Sequence, residues 1–174
     1  MTTDAPRQII ALHGAPGASV QSLLADFAAR RRAEGVAVAG VVEIAETGGP
    51  YECSSLLLRD VATGKDIAIS QALGSGSTSC NLDAAGLAAA CGRVESAIAA
   101  GAQLVILSKF GKQEALNGGL VGAFASAIAA GVPIATSVAP SLAPAWARFT
   151  EDLAQSSRAE APSLEAWWAA LALR

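Results

Sequence analysis

Residues 7–46 read RQIIALHGAPGASVQSLLADFAARRRAEGVAVAGVVEIAE, and this stretch decides the fold class. The aliphatic run over 7–14 predicts a short buried strand that ends in a glycine turn. Residues 19–35 have the apolar spacing of a helix, with Ser19 as the expected N-cap and Gly35 as the stop. The β-branched run over 36–46 predicts a second strand that is covered on both faces. Together they form a βαβ unit, whose crossover is right-handed in nearly all proteins.

The rest of the chain predicts an antiparallel insertion followed by further helices and strands. Two short strands flank the turn at 62–65, which predicts a hairpin over about 51–71. A small, polar, glycine-rich loop is expected over 72–83, and Asn81 or Asp83 then caps the next helix. The remaining predicted elements are strands over 102–108 and 132–138 and helices over 87–101, 120–131, 144–155 and 162–174, the last capped by Ser163.

This order of elements predicts an α/β sandwich of three layers with a mainly parallel sheet. The chain has 174 residues, of which 52% are hydrophobic, so it can bury the core of one ordinary domain. No internal repeat and no convincing boundary divide it, and we expect a single domain over 1–174. The one linker-like segment is residues 156–162.

Composition and charge argue against several classes of protein. The net charge of −3 disfavours broad nucleic-acid binding, which needs a basic surface. No apolar run approaches the roughly 20 residues of a membrane span, and the first residues lack the pattern of a secretory signal. We therefore expect a cytoplasmic protein. The three cysteines, Cys53, Cys80 and Cys91, form no CxxC pair, so neither a disulfide framework nor a zinc site completed by His13 is expected.

The loop after the first strand, HGAPGAS over 13–19, is the first candidate for ligand binding, because α/β sheets bind ligands at the carboxyl ends of their strands. It lacks the glycine, lysine and hydroxyl of the Walker pattern, since the matching positions are Ser19, Val20 and Gln21. Its backbone N–H groups at the start of a helix can still face an anion. The alternative is an ordinary glycine-proline turn. The candidate residues are Gly14, Ala15, Gly17, Ala18 and Ser19.

The second candidate is LVILSKFGKQEALNGGL over 104–120, which follows a predicted buried strand. Lysines at a strand end can neutralise a bound oxyanion, and Glu114 can pair with a lysine when no ligand is present. The glycines indicate a loop with demanding backbone geometry. The alternative is an exposed loop whose lysines provide solubility. The candidate residues are Ser108, Lys109, Gly111, Lys112 and Glu114.

A third candidate is the loop over 74–83, whose small residues permit close approach of the backbone to a ligand. Its candidate residues are Ser75, Gly76, Ser77 and Cys80. A helix entrance lowers the pKa of a thiol, which would make Cys80 reactive or metal-binding. The alternative is that Cys80 is a small buried residue beside a helix cap. Asp83 opposes an anion at this position.

Two motifs resemble those of a known family. DVATGKDIAISQALGSGSTSCNLDAAGLAAA (60–90) and GAQLVILSKFGKQEALNGGL (101–120) resemble an uncharacterised bacterial family whose members often accompany molybdate-transport genes. That family usually reads Cys-Arg-Leu-Asp at the first motif and Asn-Lys-Phe-Gly-Lys-x-Glu-Ala at the second; here Asn81 replaces the arginine and Ser108 the asparagine. The family is similar in turn to nucleoside-triphosphatases first described from thermophiles, which have a P-loop-NTPase-like fold.

The resemblance implies a fold without the usual hydrolytic groups. In the triphosphatases, acids at the equivalent strand end hold magnesium and position water, whereas this chain has Ser108 and Lys109 there. The resemblance therefore implies a non-hydrolytic protein that binds a small anionic ligand, molybdate or tungstate or a phosphate-like oxyanion, in molybdenum handling. One alternative is a weak nucleoside-triphosphatase that binds ATP and magnesium. Another is an interaction module, favoured by Trp146, Trp167 and Trp168, and a possible homo-oligomer in which Trp167 or Trp168 covers a subunit contact.

Overall fold

A seven-stranded sheet forms the middle layer of the computed structural model, which describes residues 5–46, 55–72 and 80–173. Its strands are β1 (Ile9–His13), β2 (Val38–Glu46), β3 (Ser55–Asp60), β4 (Asp66–Ala68), β7 (Leu104–Ile106), β8 (Ile134–Ser137) and β9 (Ala154–Arg158). A separate small sheet pairs β5 (Ser70–Ala72) with β6 (Cys80–Leu82). The helices are α1 (Gly17–Ala33), α2 (Ala84–Ala99), α3 (Lys112–Ala115), α4 (Val121–Ala129), α5 (Ala143–Thr150) and α6 (Ala161–Leu171), and a short 3-10 helix covers Pro140–Leu142.

The order of the strands in space is β4-β3-β2-β7-β8-β1-β9. Strands β2, β7, β8, β1 and β9 run parallel, whereas β3 and β4 add an antiparallel hairpin at one edge. The predicted α/β class with a mainly parallel sheet is therefore confirmed. The predicted hairpin around the turn at 62–65 is confirmed as well.

Helices cover both faces of the sheet and complete the three layers. On β1, Ile9 and Ala11 pack into the core with α2, α4 and α5, while Ile10 and Leu12 pack into the core with α1 and α6. Successive side chains of a strand point to opposite faces. Both faces of β1 are thus buried, which is why its sequence is a continuous apolar run.

Helix α1 starts before the predicted position. Ser19 is not the N-cap: Pro16 holds that position with φ −56°, and its carbonyl oxygen accepts a hydrogen bond from the Val20 N–H at 3.1 Å. The fixed φ of proline lets the helix begin directly after it, at Gly17. The predicted stop is confirmed, since Gly35 follows the last turn with φ +87°, a conformation that glycine adopts without strain.

The segment from 144 to 162 differs from the prediction. Helix α5 ends at Thr150, and Ala154–Arg158 form strand β9 instead of a helix end and a linker. The sequence AQSSR has no apolar alternation that would predict a strand. β9 lies at the edge of the sheet and obtains its strand conformation by pairing with β1. Helix α6 then starts at Ala161 with Glu160 as its N-cap, so the prediction of Ser163 as cap is wrong.

The predicted loop over 72–83 contains a strand at its end. Residues Cys80–Leu82 form β6 and pair antiparallel with β5. Of the two predicted caps, Asp83 is confirmed: its Oδ1 accepts a hydrogen bond from the Ala85 N–H at 3.0 Å.

Two of the three tryptophans are buried in the core and the third packs against it, which weakens the case for an interaction module. Trp146 and Trp167 are buried, and Trp168 is partly buried with its ring 6.3 Å from that of Phe27. None of the helices in the described ranges has the length and hydropathy needed to cross a bilayer.

Candidate functional site

The candidate site lies where connections leave neighbouring parallel strands in opposite directions. From β1 the chain enters α1 on one face of the sheet, and from β8 it continues to α5 on the other. Such a reversal opens a crevice beyond the carboxyl ends of the strands, where α/β proteins bind ligands. A cavity of about 610 Å³ occupies this crevice.

The cavity brings the first two predicted loops together. Of the predicted residues, its lining includes Gly14, Ala15, Gly17, Ser108, Lys109, Gly111, Lys112 and Glu114. Ala18 and Ser19 lie in the exposed first turn of α1 and outside that lining. The loop after β8, which contributes Ser137 to Leu142, forms a further wall.

The start of α1 offers backbone donors at the cavity. The geometry of a helix leaves the N–H groups of Gly17, Ala18 and Ser19 without partners inside the helix, and Pro16 provides no side-chain cap for them. Of these three residues, Gly17 lines the cavity. The positive end of the helix dipole lies at the same place. Gly14, with φ +86°, makes the tight turn that places α1 directly after β1.

Gln21 links three parts of the site, and it was not among the predicted residues. Its side chain is buried, its Nε2 donates to the Ser108 carbonyl oxygen at 2.7 Å, and its Oε1 accepts from the Glu43 N–H at 2.8 Å. Gln21 thus joins α1 to β2 and to the end of β7. It stands where the Walker pattern has the magnesium-binding hydroxyl, and both ends of its amide are already bonded within the protein.

Lys109 pairs with an acid that the sequence did not single out. Its Nζ lies 2.7 Å from Glu43 Oε1, and the side chains of both residues line the cavity. Glu43 is only 16% exposed while Lys109 is 51% exposed, so the carboxylate is fixed and the ammonium stays accessible from the solvent. The interpretation of Glu114 as the partner of a lysine is therefore replaced by Glu43.

Glu114 holds the loop after β7 in shape. It is buried, its Oε2 accepts from the Gly111 N–H and its Oε1 from the Leu120 N–H, both at 2.8 Å. Phe110 anchors the same loop in a cluster of aromatic rings, 5.1 Å from the ring of Trp146. These contacts fix the backbone on both sides of Lys112.

Two of the three lysines in this chain lie at the cavity. The sequence contains Lys65, Lys109 and Lys112, and the last two line the cavity. Lys112 is the exposed first residue of α3, and Lys65 lies in the exposed turn between β3 and β4. This distribution favours a role for the lysines at the cavity over a general role in solubility.

The third predicted loop contributes little that the structure describes. Ser75, Gly76 and Ser77 lie outside the described residues, and Cys80 is placed only as the first residue of β6. Asp83 caps α2, so its carboxylate occupies that helix N-terminus. Cys91 is a buried thiol in α2, and burial raises its pKa.

His13 ends β1 and lines the cavity with an exposed side chain. Within residues 5–46, 55–72 and 80–173, no group of three or more His, Cys, Asp or Glu side chains is arranged to hold a metal ion.

Comparisons with known proteins agree with the expected family. The family described as "Protein of unknown function (DUF2478)" matches residues 9–167. "Molybdenum import ATP-binding protein ModC 2" from Bradyrhizobium diazoefficiens is 39% identical over 163 residues. This match covers 94% of the present chain but spans only 18% of that relative. No solved structure gives a significant match.

Proposed function

We propose that this chain, which belongs to the DUF2478 family, binds a small oxyanion group in the strand-end cavity without hydrolysing a nucleotide. One observation carries the proposal: the uncapped start of α1 and the loop bearing Lys109 and Lys112 line the same cavity. Helix N-termini and lysines both supply positive potential for an oxyanion.

The charges at the cavity support an anion more than a metal ion. Lys109 is bonded to Glu43 but half exposed, so it can contact a ligand without leaving its partner. Lys112 adds a second cation. Of the two acids, Glu114 is occupied by backbone N–H groups, which leaves Glu43 as the carboxylate that Lys109 neutralises.

The link to molybdenum comes from the relative. The protein that is 39% identical to this chain is described as a molybdenum import ATP-binding protein. The matched segment is a small part of it, and we propose that molybdate or tungstate recognition belongs to this segment. Both are tetrahedral dianions, for which convergent N–H and ammonium donors are suitable partners.

Isothermal titration calorimetry with molybdate, tungstate, sulfate and inorganic phosphate tests the proposal. We expect saturable heat from at least one oxyanion, and binding about tenfold weaker in Lys109→Gln and in Lys112→Gln, since each removes a charge-assisted hydrogen bond. Lys65→Gln is the matched control, because it removes the lysine that lies outside the cavity. Absence of heat from every oxyanion, with native circular dichroism, contradicts the proposal.

A second candidate function is the binding of a nucleotide. The cavity volume of about 610 Å³ is in the range of sites for organic ligands, and the relative is described as ATP-binding. Titration with ATP, with and without magnesium, separates the two candidates. Magnesium-dependent phosphate release that is lost in Lys112→Ala would favour the nucleoside-triphosphatase and overturn the non-hydrolytic proposal.

A further inference from the structure

We propose that this cavity also accepts an oxyanion group carried on an apolar organic body, and that such an amphipathic organic anion binds more tightly than a bare inorganic ion of the same charge. This inference rests on the proposed anion site and names its ligand class. It is drawn from the size of the cavity, from its apolar wall and from the position of that wall beside Lys109.

The cavity is too large for an inorganic oxyanion alone. A tetrahedral ion has four water-sized oxygens, and at about 10–15 Å³ for each on the same measure of cavity volume it needs about 40–60 Å³. The cavity measures about 610 Å³. Most of the space therefore lies beyond the reach of an ion held by Lys109 and the start of α1.

The remaining wall is built from apolar side chains of several elements. Leu58 on β3, Ile69 between β4 and β5, Leu82 on β6 and Leu87 on α2 all line the cavity. Leu58 and Ile69 are buried in the core, so the 46% exposed Leu82 and the partly buried Leu87 present the apolar surface that a ligand can cover. Such a wall gains free energy by contact with an apolar group and gains nothing from an inorganic ion.

The apolar wall adjoins the charged end of the site. Leu58 lies directly opposite Glu43 in the β2–β3 ladder, and Glu43 holds Lys109 at 2.7 Å. Paired residues of an antiparallel ladder have their side chains on the same face about 5 Å apart. One ligand can therefore contact Lys109 with an anionic group and the leucines with its body.

Glu43 also limits what charge alone can contribute. Because it already neutralises much of the Lys109 charge, a bare dianion meets a weaker positive potential than two free lysines would give. Burial of an apolar body adds affinity that does not depend on that potential. An amphipathic anion uses both parts of the cavity.

Calorimetric titration of the full chain with inorganic phosphate, phenyl phosphate and 1-naphthyl phosphate tests the inference, with molybdate as a competitor. We expect 1-naphthyl phosphate to bind at least about tenfold more tightly than inorganic phosphate, as burial of a ring system predicts. Leu82→Gln, at a half-exposed position that should not disturb folding, is expected to reduce this gain and leave inorganic phosphate unchanged. Leu116→Gln is the matched control, since Leu116 is 80% exposed and lies outside the lining.

The outcomes separate this inference from the proposed function. If inorganic phosphate or molybdate binds and no aryl phosphate binds more tightly or displaces it, the inference of an organic ligand is wrong, whereas the proposed anion site remains supported. If aryl phosphates bind more tightly but Lys109→Gln leaves their affinity unchanged, the ring is bound without the anion site and the inference is overturned. If no probe binds, both proposals fail.

Discussion

Replacing Glu114 by glutamine should destabilise the protein while leaving its fold intact. The carboxylate is 6% exposed and accepts two backbone hydrogen bonds of 2.8 Å, from Gly111 at the start of α3 and from Leu120 before α4. An amide of the same shape has one oxygen, so it keeps one acceptor and turns an NH₂ group toward the other donor. Loss of one hydrogen bond to a charged group costs about 2 kcal/mol. For a chain of this length that corresponds to a fall in Tm of roughly 4–8 °C.

Urea denaturation at pH 7, followed by tryptophan fluorescence, measures the change in free energy of unfolding. We expect a lower midpoint with an unchanged m-value, because the surface exposed on unfolding stays the same. Asp26→Asn is the matched control: it removes an exposed carboxylate from α1 and should change stability by less than about 0.5 kcal/mol.

Equal and small losses of stability in Glu114→Gln and Asp26→Asn would contradict this expectation. That result would mean that the loop after β7 is not held by the buried carboxylate in solution. Lys109 and Lys112 would then lack the fixed backbone on which the proposed anion site depends.

Three further predictions follow from the packing and the site. Gly40→Ala should cost more than about 3 kcal/mol in urea denaturation, because its φ is +129° and a Cβ there overlaps the Ile106 carbonyl oxygen; Gly92→Ala, in an open position on α2, should be neutral or stabilising. Burial raises the pKa of the Cys91 thiol above its ordinary 9.0, so peptide mass spectrometry should show slower alkylation at pH 8 in the native chain than in urea. Because the folded pKa lies above the unfolded pKa, the thiol's contribution to stability should be complete below the unfolded pKa and be lost as pH rises through the folded pKa. Equal alkylation rates would contradict the burial. Glu43→Gln should raise oxyanion affinity about tenfold by freeing the charge of Lys109, and an unchanged or lower affinity in calorimetry would show that Glu43 does not compete with the ligand.

The parts of the fold that local patterns encode were predictable. The continuous apolar run of β1, the helical spacing of α1 and the glycine after it each carry their signal within a few residues. Strand β9 was not predictable, because AQSSR is polar and takes strand conformation only by pairing with Ile9–His13, distant in the sequence. The conformation of this segment is set by its pairing with a distant strand, because its own residues have no clear preference for a strand.

Some residues of the candidate site were predictable from the sequence and others were not. Lys109 and Lys112 were predictable because they follow a buried strand directly. Gln21 and Glu43 were missed, since their roles arise from contacts between α1, β2 and the end of β7. A signal for Gln21 did exist: it lies three residues before Leu24 on the buried face of α1, where a polar side chain needs hydrogen-bond partners.

We expect this cavity not to take up magnesium, because of the polar contacts at the strand ends. A divalent ion shared by the first helix and the end of β7 needs free oxygen ligands. In this chain Gln21 is bonded directly to the Ser108 carbonyl oxygen, and the ammonium of Lys109 lies against Glu43. A magnesium ion would have to break those contacts and then lie beside the displaced ammonium, where like charges repel by about 4 kcal/mol per pair of unit charges at 4 Å near a protein surface. In the proposed site, the ammonium of Lys109 takes the place that a bound metal cation would otherwise have. Because Lys109 carries one charge and is paired with Glu43, it would stabilise an anion less than magnesium does, and the proposed contact with the apolar wall would add affinity that does not depend on charge.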